Sequence, residues 1–271
     1  MLKQRVLTAL VLGLILALVL FAGGILAWKQ FLLLAAMLAA DEWVSLGYRS
    51  RPIRFVYTVF TSFAAAELLF LPGVDAGVLH TILVAGVTFW CLLVPPWLWF
   101  GWRLASGLRF LLTGWLVILP TIAALLVLRK SGVALLLACM AIVWVSDIAA
   151  YFSGRRFGRH RLAPAISPGK TWEGVAGALV LVLAVGTALV LVPDLIPALS
   201  AALRRAGWRV LPLLAVLVML GIEGDLFESW LKRCVGVKDS GWILPGHGGV
   251  LDRIDALTAA LPLAALIIAQ A

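Results

Sequence analysis

GVAGALVLVLAVGTALVLVP, residues 174–193, contains no charged residue and is long enough to cross a bilayer as a helix. Such a helix needs about 20 mostly apolar residues, and lipid offers no hydrogen-bond partners to an irregular backbone. Similar runs recur along the chain, of which 13% is charged, against about 25% for soluble domains. The runs lack the apolar–polar alternation of outer-membrane barrel strands. The sequence therefore predicts an all-α polytopic membrane protein.

Nine segments of the chain have this apolar character, so we predict about nine transmembrane helices. They cover residues 6–27, 31–46, 53–71, 78–94, 108–128, 132–152, 174–193, 210–227 and 251–270. The first segment also begins as a secretory signal would. Its apolar run is longer than the core of such a signal and further spans follow it, so we expect a retained helix.

The distribution of Lys and Arg predicts the orientation, because cytoplasmic loops are enriched in both. With the N-terminus inside, 16 of the 22 basic residues fall on the cytoplasmic side and 6, including Arg204 and Arg205, on the other. These residues flank apolar runs and do not form one basic face. The net charge of +9 therefore indicates contact with membrane lipids, and no nucleic-acid partner is expected.

Carboxylates are concentrated at the ends of the last two predicted helices. Asp225 and Glu228 are three residues apart, as are Asp252 and Asp255, so each pair shares a helix face. Acids in such a place need partners, and clustered oxygen ligands suit Mg²⁺. The alternative is a set of structural ion pairs with nearby bases. The candidate bases are Lys232, Arg233, Lys238 and Arg253.

Between these acids lies the turn PGHGG, residues 245–249. Glycines such as Gly248 and Gly249 let the backbone approach a ligand, and successive amides can bind an anion. A plain turn between two helices would need glycine as well. His247 is able to donate to a phosphate, although a single histidine is as often a structural hydrogen bonder.

A second polar motif, ISPGKTWEG, covers residues 166–174. Ser167, Lys170 and Thr171 surround a Pro-Gly turn just before an apolar helix, where backbone donors and the helix N-terminus favour phosphate. The spacing of a Walker A loop is absent. Glu173 is accounted for as a first-turn charge favoured by the helix dipole. The arginines that precede this motif fit any cytoplasmic loop.

Both motifs resemble those of the phosphatidate cytidylyltransferases, also called CDP-diacylglycerol synthases. The run from Ser229 to Asp255 fits the family pattern S-x-L-K-R-x(4)-K-D-x-G-x(2)-L-P-x-H-G-G-V-x-D-R-I-D at every defined position. The segment from Ser146 to Gly174 and the triplet Gly224-Asp225-Leu226 are also similar. The resemblance covers residues 146–174 and 221–255, and the N-terminal half is similar only in length and hydropathy.

The resemblance implies an enzyme that converts CTP and phosphatidic acid to CDP-diacylglycerol and pyrophosphate in phospholipid biosynthesis. It also implies an all-helical fold with a cytoplasm-facing polar funnel, in a homodimer at the cytoplasmic (inner) membrane. We expect transmembrane scaffold or dimer helices in residues 1–130 and the catalytic transmembrane region in residues 131–271.

Residue roles carry over from the family by position. Metal ligands would be Asp225, Asp252 and Asp255, holding Mg²⁺ with a second cation alongside. Phosphates would be held by Lys232, Arg233, Lys238 and Arg253. Asp239 would orient Lys238 or a metal-bound water, and His247 would join the catalytic set. Substrate would be bound by Ser167, Lys170, Thr171, Gly248 and Gly249.

Two other functions were weighed against this resemblance. A transporter would use the intramembrane acids Glu67, Asp147 and Glu223 as a cation pathway, but matching broken-helix pairs are missing from the two halves. A CDP-alcohol phosphotransferase would carry an acidic D-G-x(2)-A-R-type block, which this sequence lacks. The residues of the two motifs and the resemblance together favour the cytidylyltransferase.

Overall fold

The computed structural model describes residues 2–192 and 207–270, and most of these residues are helical. The helices are α1 (Leu2–Ala17), α2 (Gly24–Gly47), α3 (Arg51–Phe70), α4 (Ala76–Thr88), α5 (Val94–Phe100), α6 (Leu108–Ser131), α7 (Val133–Phe157), α8 (Trp172–Leu191), α9 (Val210–Cys234) and α10 (Leu251–Gln270). An antiparallel hairpin of β1 (Arg161–Ala163) and β2 (Ser167–Thr171) joins α7 to α8. The all-helical prediction is confirmed, and the hairpin is an addition to it.

Seven helical segments among the described residues are long and apolar enough to cross a membrane. They are Gly24–Gly47, Arg51–Phe70, Ala76–Phe100, Leu108–Ser131, Val133–Phe157, Trp172–Leu191 and Gly207–Cys234. The structure thus supports seven of the nine predicted spans. Of the other two, Val6–Ala22 is a shorter apolar helix, and α10 has three charged residues near its start. Arg204 and Arg205 lie outside the described residues.

The outer surface of the helices is apolar, as lipid contact requires. Phe21 and Phe55, for example, are 72% and 70% exposed. A soluble protein rarely leaves contiguous apolar surface of this kind open to water. The chain is therefore a multi-pass membrane protein.

Two five-residue π-helical turns, Leu18–Ala22 and Phe89–Leu93, widen the helical path. The second is followed by Val94, Pro95 and Pro96. Proline has no N–H and its ring crowds the preceding turn, so the backbone hydrogen bonds must change spacing there. The wider turn keeps α4 and α5 in one continuous apolar segment.

One large apolar core joins both halves of the chain. It includes Trp28 and Leu32 of α2, Phe110 of α6 and Ala260 of α10. A smaller cluster packs α7, α8 and α9 together through Ala149, Val175, Ala178, Val182, Val210, Leu214, Val218 and Ile222. The ends of α7, α8, α9 and α10 are therefore held in a fixed relation to one another.

The connecting segments that carry polar residues meet at one end of this bundle. The backbone N–H of Gly107 donates to the Tyr48 hydroxyl at 2.8 Å, and the N–H of Val250 donates to Glu42 at 2.8 Å. Thr8 near the N-terminus donates to the carbonyl of Pro245 at 2.9 Å. This end of the bundle holds both motifs found in the sequence.

Candidate active site

A cavity of about 800 Å³ lies where the ends of α7, α8, α9 and α10 meet the hairpin. We call it the polar cavity. Its acidic lining residues are Asp147, Asp225, Asp239, Asp252 and Asp255, and its basic ones are Arg155, Arg161, Lys170, Lys232 and Arg253. The motifs at 166–174 and 229–255 are distant in sequence, yet both contribute to this one cavity.

A second cavity of about 520 Å³, here called the loop cavity, adjoins the first. It is lined by Lys238, Asp239, Gly241, Trp242, Leu244, Gly246, His247, Gly248 and Arg253. Asp239 and Arg253 line both cavities. A ligand with several phosphates therefore has polar surface available from the hairpin through to the glycine turn.

Lys170 of the hairpin links the two motifs. Its Nζ lies 2.8 Å from Oδ2 of Asp225 and donates to the carbonyl of Ile222 at 3.1 Å. The other oxygen of Asp225 accepts from the Ser229 hydroxyl, one turn later on α9, at 3.2 Å. The charge of Lys170 is thereby placed directly against that of Asp225.

Lys232 lies between two buried carboxylates. Its Nζ is 3.0 Å from Glu228 Oε2 and 2.5 Å from Asp252 Oδ1. The second oxygen of Asp252 accepts from the Ser240 N–H at 2.8 Å, the Ser240 hydroxyl at 2.9 Å and the Gly249 N–H at 2.8 Å. Asp252 therefore attaches residues 240–249 to the start of α10.

The turn at 244–248 is closed by its own backbone. Leu244 N–H donates to the Gly248 carbonyl at 2.9 Å, and His247 N–H donates to the Leu244 carbonyl at 2.8 Å. Gly248 has a φ of +81°, and a Cβ there would lie 2.5 Å from Asp252 Oδ2. Only glycine satisfies both constraints.

His247 has a buried ring nitrogen, Nδ1, with no hydrogen-bond partner in the described part of the chain. Its carbonyl accepts from Arg253 Nε at 3.0 Å, which ties the turn to α10. Buried polar atoms are seldom left without a partner. His247 lines the loop cavity, and its Nδ1 has hydrogen-bonding capacity that the described residues do not use.

Asp255 differs from the other predicted ligands in its surroundings. Its Oδ1 accepts from the Ala256 N–H at 2.8 Å, and within residues 2–192 and 207–270 no Lys or Arg forms an ion pair with it. Asp225 and Glu228 lie close enough to repel its charge, and Lys232 lies close enough to offset part of that repulsion. Glu228 Oε1 is buried without a partner among the same residues. A cation would relieve this accumulation of negative charge.

No group of three or more His, Cys, Asp or Glu side chains within the described ranges is already arranged as a metal site. Asp252 accepts four hydrogen bonds, from Lys232, Ser240 and Gly249. Asp225 contacts only Lys170 and Ser229, one on each oxygen, and Asp255 accepts from Ala256, so these two carboxylates retain more acceptor capacity. Mg²⁺ commonly uses one or two carboxylates and takes its other ligands from water and substrate phosphate. The carboxylates of Asp225 and Asp255 fit that requirement.

The remaining predicted residues divide into two groups. Ser167 and Thr171 line the polar cavity, and the Thr171 hydroxyl accepts from the Gly174 N–H at 3.1 Å, which caps α8. Arg233 and Gly249 lie outside the walls of both cavities. Arg233 donates to the Val237 carbonyl at 3.3 Å, and Gly249 uses its N–H on Asp252.

Sequence reasoning missed one face of α7. Asp147, Tyr151 and Arg155 are spaced by four residues and all line the polar cavity. Arg155 also donates to the Tyr151 hydroxyl at 3.1 Å. The sequence does carry a signal for this face. Asp147 is a carboxylate in an apolar run, and polar residues follow it at intervals of four, the spacing of one helix face. The sequence assigns no site role to Arg155, although it lies in the segment that resembles the family, and Arg161 fits any cytoplasmic loop.

Comparison with known proteins extends the similarity beyond these motifs. The chain matches the model of the Cytidylyltransferase family over residues 3–270. It is 41% identical to the phosphatidate cytidylyltransferase of Pseudomonas aeruginosa, covering 99% of this chain and 97% of that protein. The proteins of the same name from Haemophilus influenzae and Staphylococcus epidermidis are 38% and 33% identical, each over at least 96% of both chains. Over nearly its whole length, the chain belongs to the cytidylyltransferase family.

Proposed function

We propose that this chain transfers the cytidylyl group of CTP to phosphatidic acid, giving CDP-diacylglycerol and pyrophosphate. The observation that carries the proposal is the meeting of both sequence motifs in one polar cavity at the end of apolar helices. The names of the relatives agree with it. A lipid phosphate and a nucleotide must meet at such a border between bilayer and water.

The arginines of the polar cavity are suited to hold phosphates. Arg155, Arg161 and Arg253 form no ion pair with a carboxylate among the described residues, and each donates to a neutral hydroxyl or carbonyl oxygen. Arginine presents several donors in a plane that matches phosphate geometry. Their positive charge is therefore free to bind triphosphate and lipid phosphate in the same cavity.

The reaction needs no covalent enzyme intermediate. An oxygen of the lipid phosphate bonds to the α-phosphorus of CTP while the bond from that phosphorus to the β-phosphate oxygen breaks, and pyrophosphate leaves. Such transfers depend on positioning and on stabilising charge at the reacting oxygens. Lys170 and Lys232, with the three arginines, supply that charge, and His247 lines the adjoining loop cavity.

We propose that Mg²⁺ is held by Asp225 and Asp255, and that a second cation binds alongside it. When bound, the ion would neutralise phosphate charge and favour departure of pyrophosphate. Asp252 was predicted as a third ligand from the family pattern. In the geometry described above it instead holds Lys232 and residues 240–249, so we propose that it acts through them.

The proposed orientation places the polar cavity towards the cytoplasm, as a funnel between water and bilayer in the inner membrane of a bacterium. The bias of Lys and Arg towards this end of the helices supports it.

We also propose that α1 and α10 complete nine spans, and that residues 1–130 serve as a scaffold for catalytic residues in 131–271. From the family resemblance we propose that the protein is a homodimer. A measured protein mass equal to that of one chain, for the purified protein in detergent, would contradict this.

The direct test is an assay on purified protein with CTP and phosphatidic acid. We expect pyrophosphate and CDP-diacylglycerol as products, complete loss of turnover with EDTA, and recovery with Mg²⁺. Asp255→Asn should reduce turnover about 100-fold or more, as loss of one charge-stabilising group at a reacting centre commonly does. Asp41→Asn is the matched control, because Asp41 pairs with Arg54 at 2.8 Å and does not line the polar cavity. Release of CMP, or normal turnover by Asp255→Asn, would contradict the proposal.

A further inference from the structure

Glu42 is a buried carboxylate in the N-terminal half, far in sequence from both motifs. It lies near the end of α2 and is 3% exposed, whereas its neighbour Asp41 faces outwards and pairs with Arg54. Within the described residues Glu42 forms no ion pair with a Lys or Arg. A charge buried in this way needs strong hydrogen-bond donors.

The donors come from the start of α10. Val250 N–H donates to Glu42 Oε1 at 2.8 Å, and Leu251 N–H donates to Oε2 at 2.9 Å. The first N–H groups of a helix have no partners within the helix, and the helix dipole favours negative charge there. Glu42 therefore caps the N-terminus of α10, although it precedes that helix by more than 200 residues in the chain.

The same carboxylate contacts the loop between α9 and α10. Ser240 Oγ lies 3.5 Å from Oε2. A Cβ at Gly241 would lie 2.7 Å from Oε1, and a Cβ at Gly249 would lie 2.5 Å from Oε2. Glycine at these two positions is thus what allows the loop backbone to pack directly on Glu42.

The loop transmits this contact to the polar cavity. Ser240 and Gly249, which pack on Glu42, also donate to Asp252, and Asp252 holds Lys232 at 2.5 Å. Glu42 itself lines neither cavity. Its influence on a substrate is therefore indirect, and the contacts above lead from Glu42 through the loop to Asp252 and Lys232.

We propose that Glu42 is a positioning residue that fixes residues 240–251 and so sets the placement of Asp252 and Lys232 in the polar cavity. The proposal rests on the function proposed above for that cavity. It gives the N-terminal half a specific part in the reaction. Without the Glu42 carboxylate, α10 begins with uncapped N–H groups and the loop loses the surface on which it packs.

The first test needs no substrate. We expect amide hydrogen exchange at Val250 and Leu251 to become about tenfold faster in Glu42→Gln and faster still in Glu42→Ala, since a charged acceptor forms stronger hydrogen bonds than a neutral one. Exchange in α6 should stay unchanged, as should exchange at 250–251 in the control Asp41→Asn. Unchanged exchange at these two amides in Glu42→Ala would overturn the proposal.

The second test separates positioning from loss of folded protein. Misfolding of part of a sample lowers the apparent kcat and leaves KM unchanged. We expect KM for CTP to rise about tenfold in Glu42→Gln, because Lys232 no longer holds its place, and to stay at the wild-type value in Asp41→Asn. A Glu42→Gln protein with faster loop exchange but an unchanged KM would overturn the positioning role.

A double substitution tests the contact itself. Gly241→Ala alone should disturb the loop, because the added methyl would meet the Glu42 carboxylate. When Glu42 is already replaced by Ala, Gly241→Ala should raise the rate of amide hydrogen exchange in the loop by less than about twofold. If the effects of the two substitutions are additive, Gly241 and Glu42 do not interact and the proposed contact is wrong. Wild-type protein without transferase activity would refute the proposed function, while the exchange data would still decide whether Glu42 holds the loop.

Discussion

At the scale of single residues, Lys232 shows how one charge can serve two purposes. Its ammonium group contacts Glu228 and Asp252, and the three side chains are only 5–11% exposed. It also lines the polar cavity. The sequence left open whether the clustered acids bind metal or form ion pairs with nearby bases. For Asp252 the structure favours the ion pair, and for Asp255 it leaves the acid without one.

We predict that Lys232→Met destabilises the protein as well as reducing turnover. Removing one partner of a buried charge cluster leaves two carboxylates uncompensated, which typically costs about 3–5 kcal/mol. The free energy of unfolding in detergent, measured by denaturant titration, is the readout. Lys238→Met is the control, because Lys238 is exposed in the loop cavity and its replacement should change stability by less than about 0.5 kcal/mol. Equal stability of the two variants would contradict this account of Lys232.

At the scale of elements, the hairpin and the start of α8 form one unit. Thr171 ends β2 and caps α8 through Gly174 N–H at 3.1 Å, and it is 5% exposed. The sequence identified the helix N-terminus from the Pro-Gly turn before an apolar run. It did not reveal the hairpin, because two strands of three and five residues are shorter than any reliable alternation pattern.

Thr171→Val should therefore reduce stability while leaving the shape of the side chain nearly unchanged. Loss of an N-cap acceptor lowers the free energy of unfolding by about 1 kcal/mol. Thr171→Ser keeps the hydroxyl and should retain most of that energy. Thermal unfolding of the three proteins in the same detergent measures the difference, and a valine variant as stable as wild type would show that the cap contributes little.

The face of α7 illustrates what helical periodicity can and cannot predict. Asp147, Tyr151 and Arg155 share a face because of their spacing, which is legible in the sequence. That this face turns towards α9 and the hairpin depends on the apolar packing of α7 against α8 and α9. The same limit applies in the N-terminal region. The sequence shows Glu42 only as an acid in an apolar run, and its contact with α10 is seen only in the folded structure.

At the scale of the whole molecule, the arrangement of the helices gathers both motifs at one end of the bundle. If that end faces the cytoplasm, a cysteine introduced as Arg159→Cys should react with a membrane-impermeant maleimide only in inside-out vesicles. Gly73→Cys, in the exposed turn between α3 and α4, should react only in right-side-out vesicles. Both variants should be made in a protein whose own cysteines, Cys91, Cys139 and Cys234, have been replaced, so that only the introduced cysteine reacts. Labelling of both sites from the same side would contradict the proposed orientation.

The sequence by itself determined the helical membrane architecture and the chemistry of the site. Apolar runs of sufficient length can only be helices in lipid, and the two motifs carry their residue types in contiguous stretches. The tertiary structure alone decided which of those residues meet: Asp252 with Lys232, Lys170 with Asp225, and Glu42 with the start of α10. Such pairings join residues from 20 to more than 200 positions apart and depend on how the helices pack. Hydrophobic burial is non-directional, so no local pattern in the sequence specifies them.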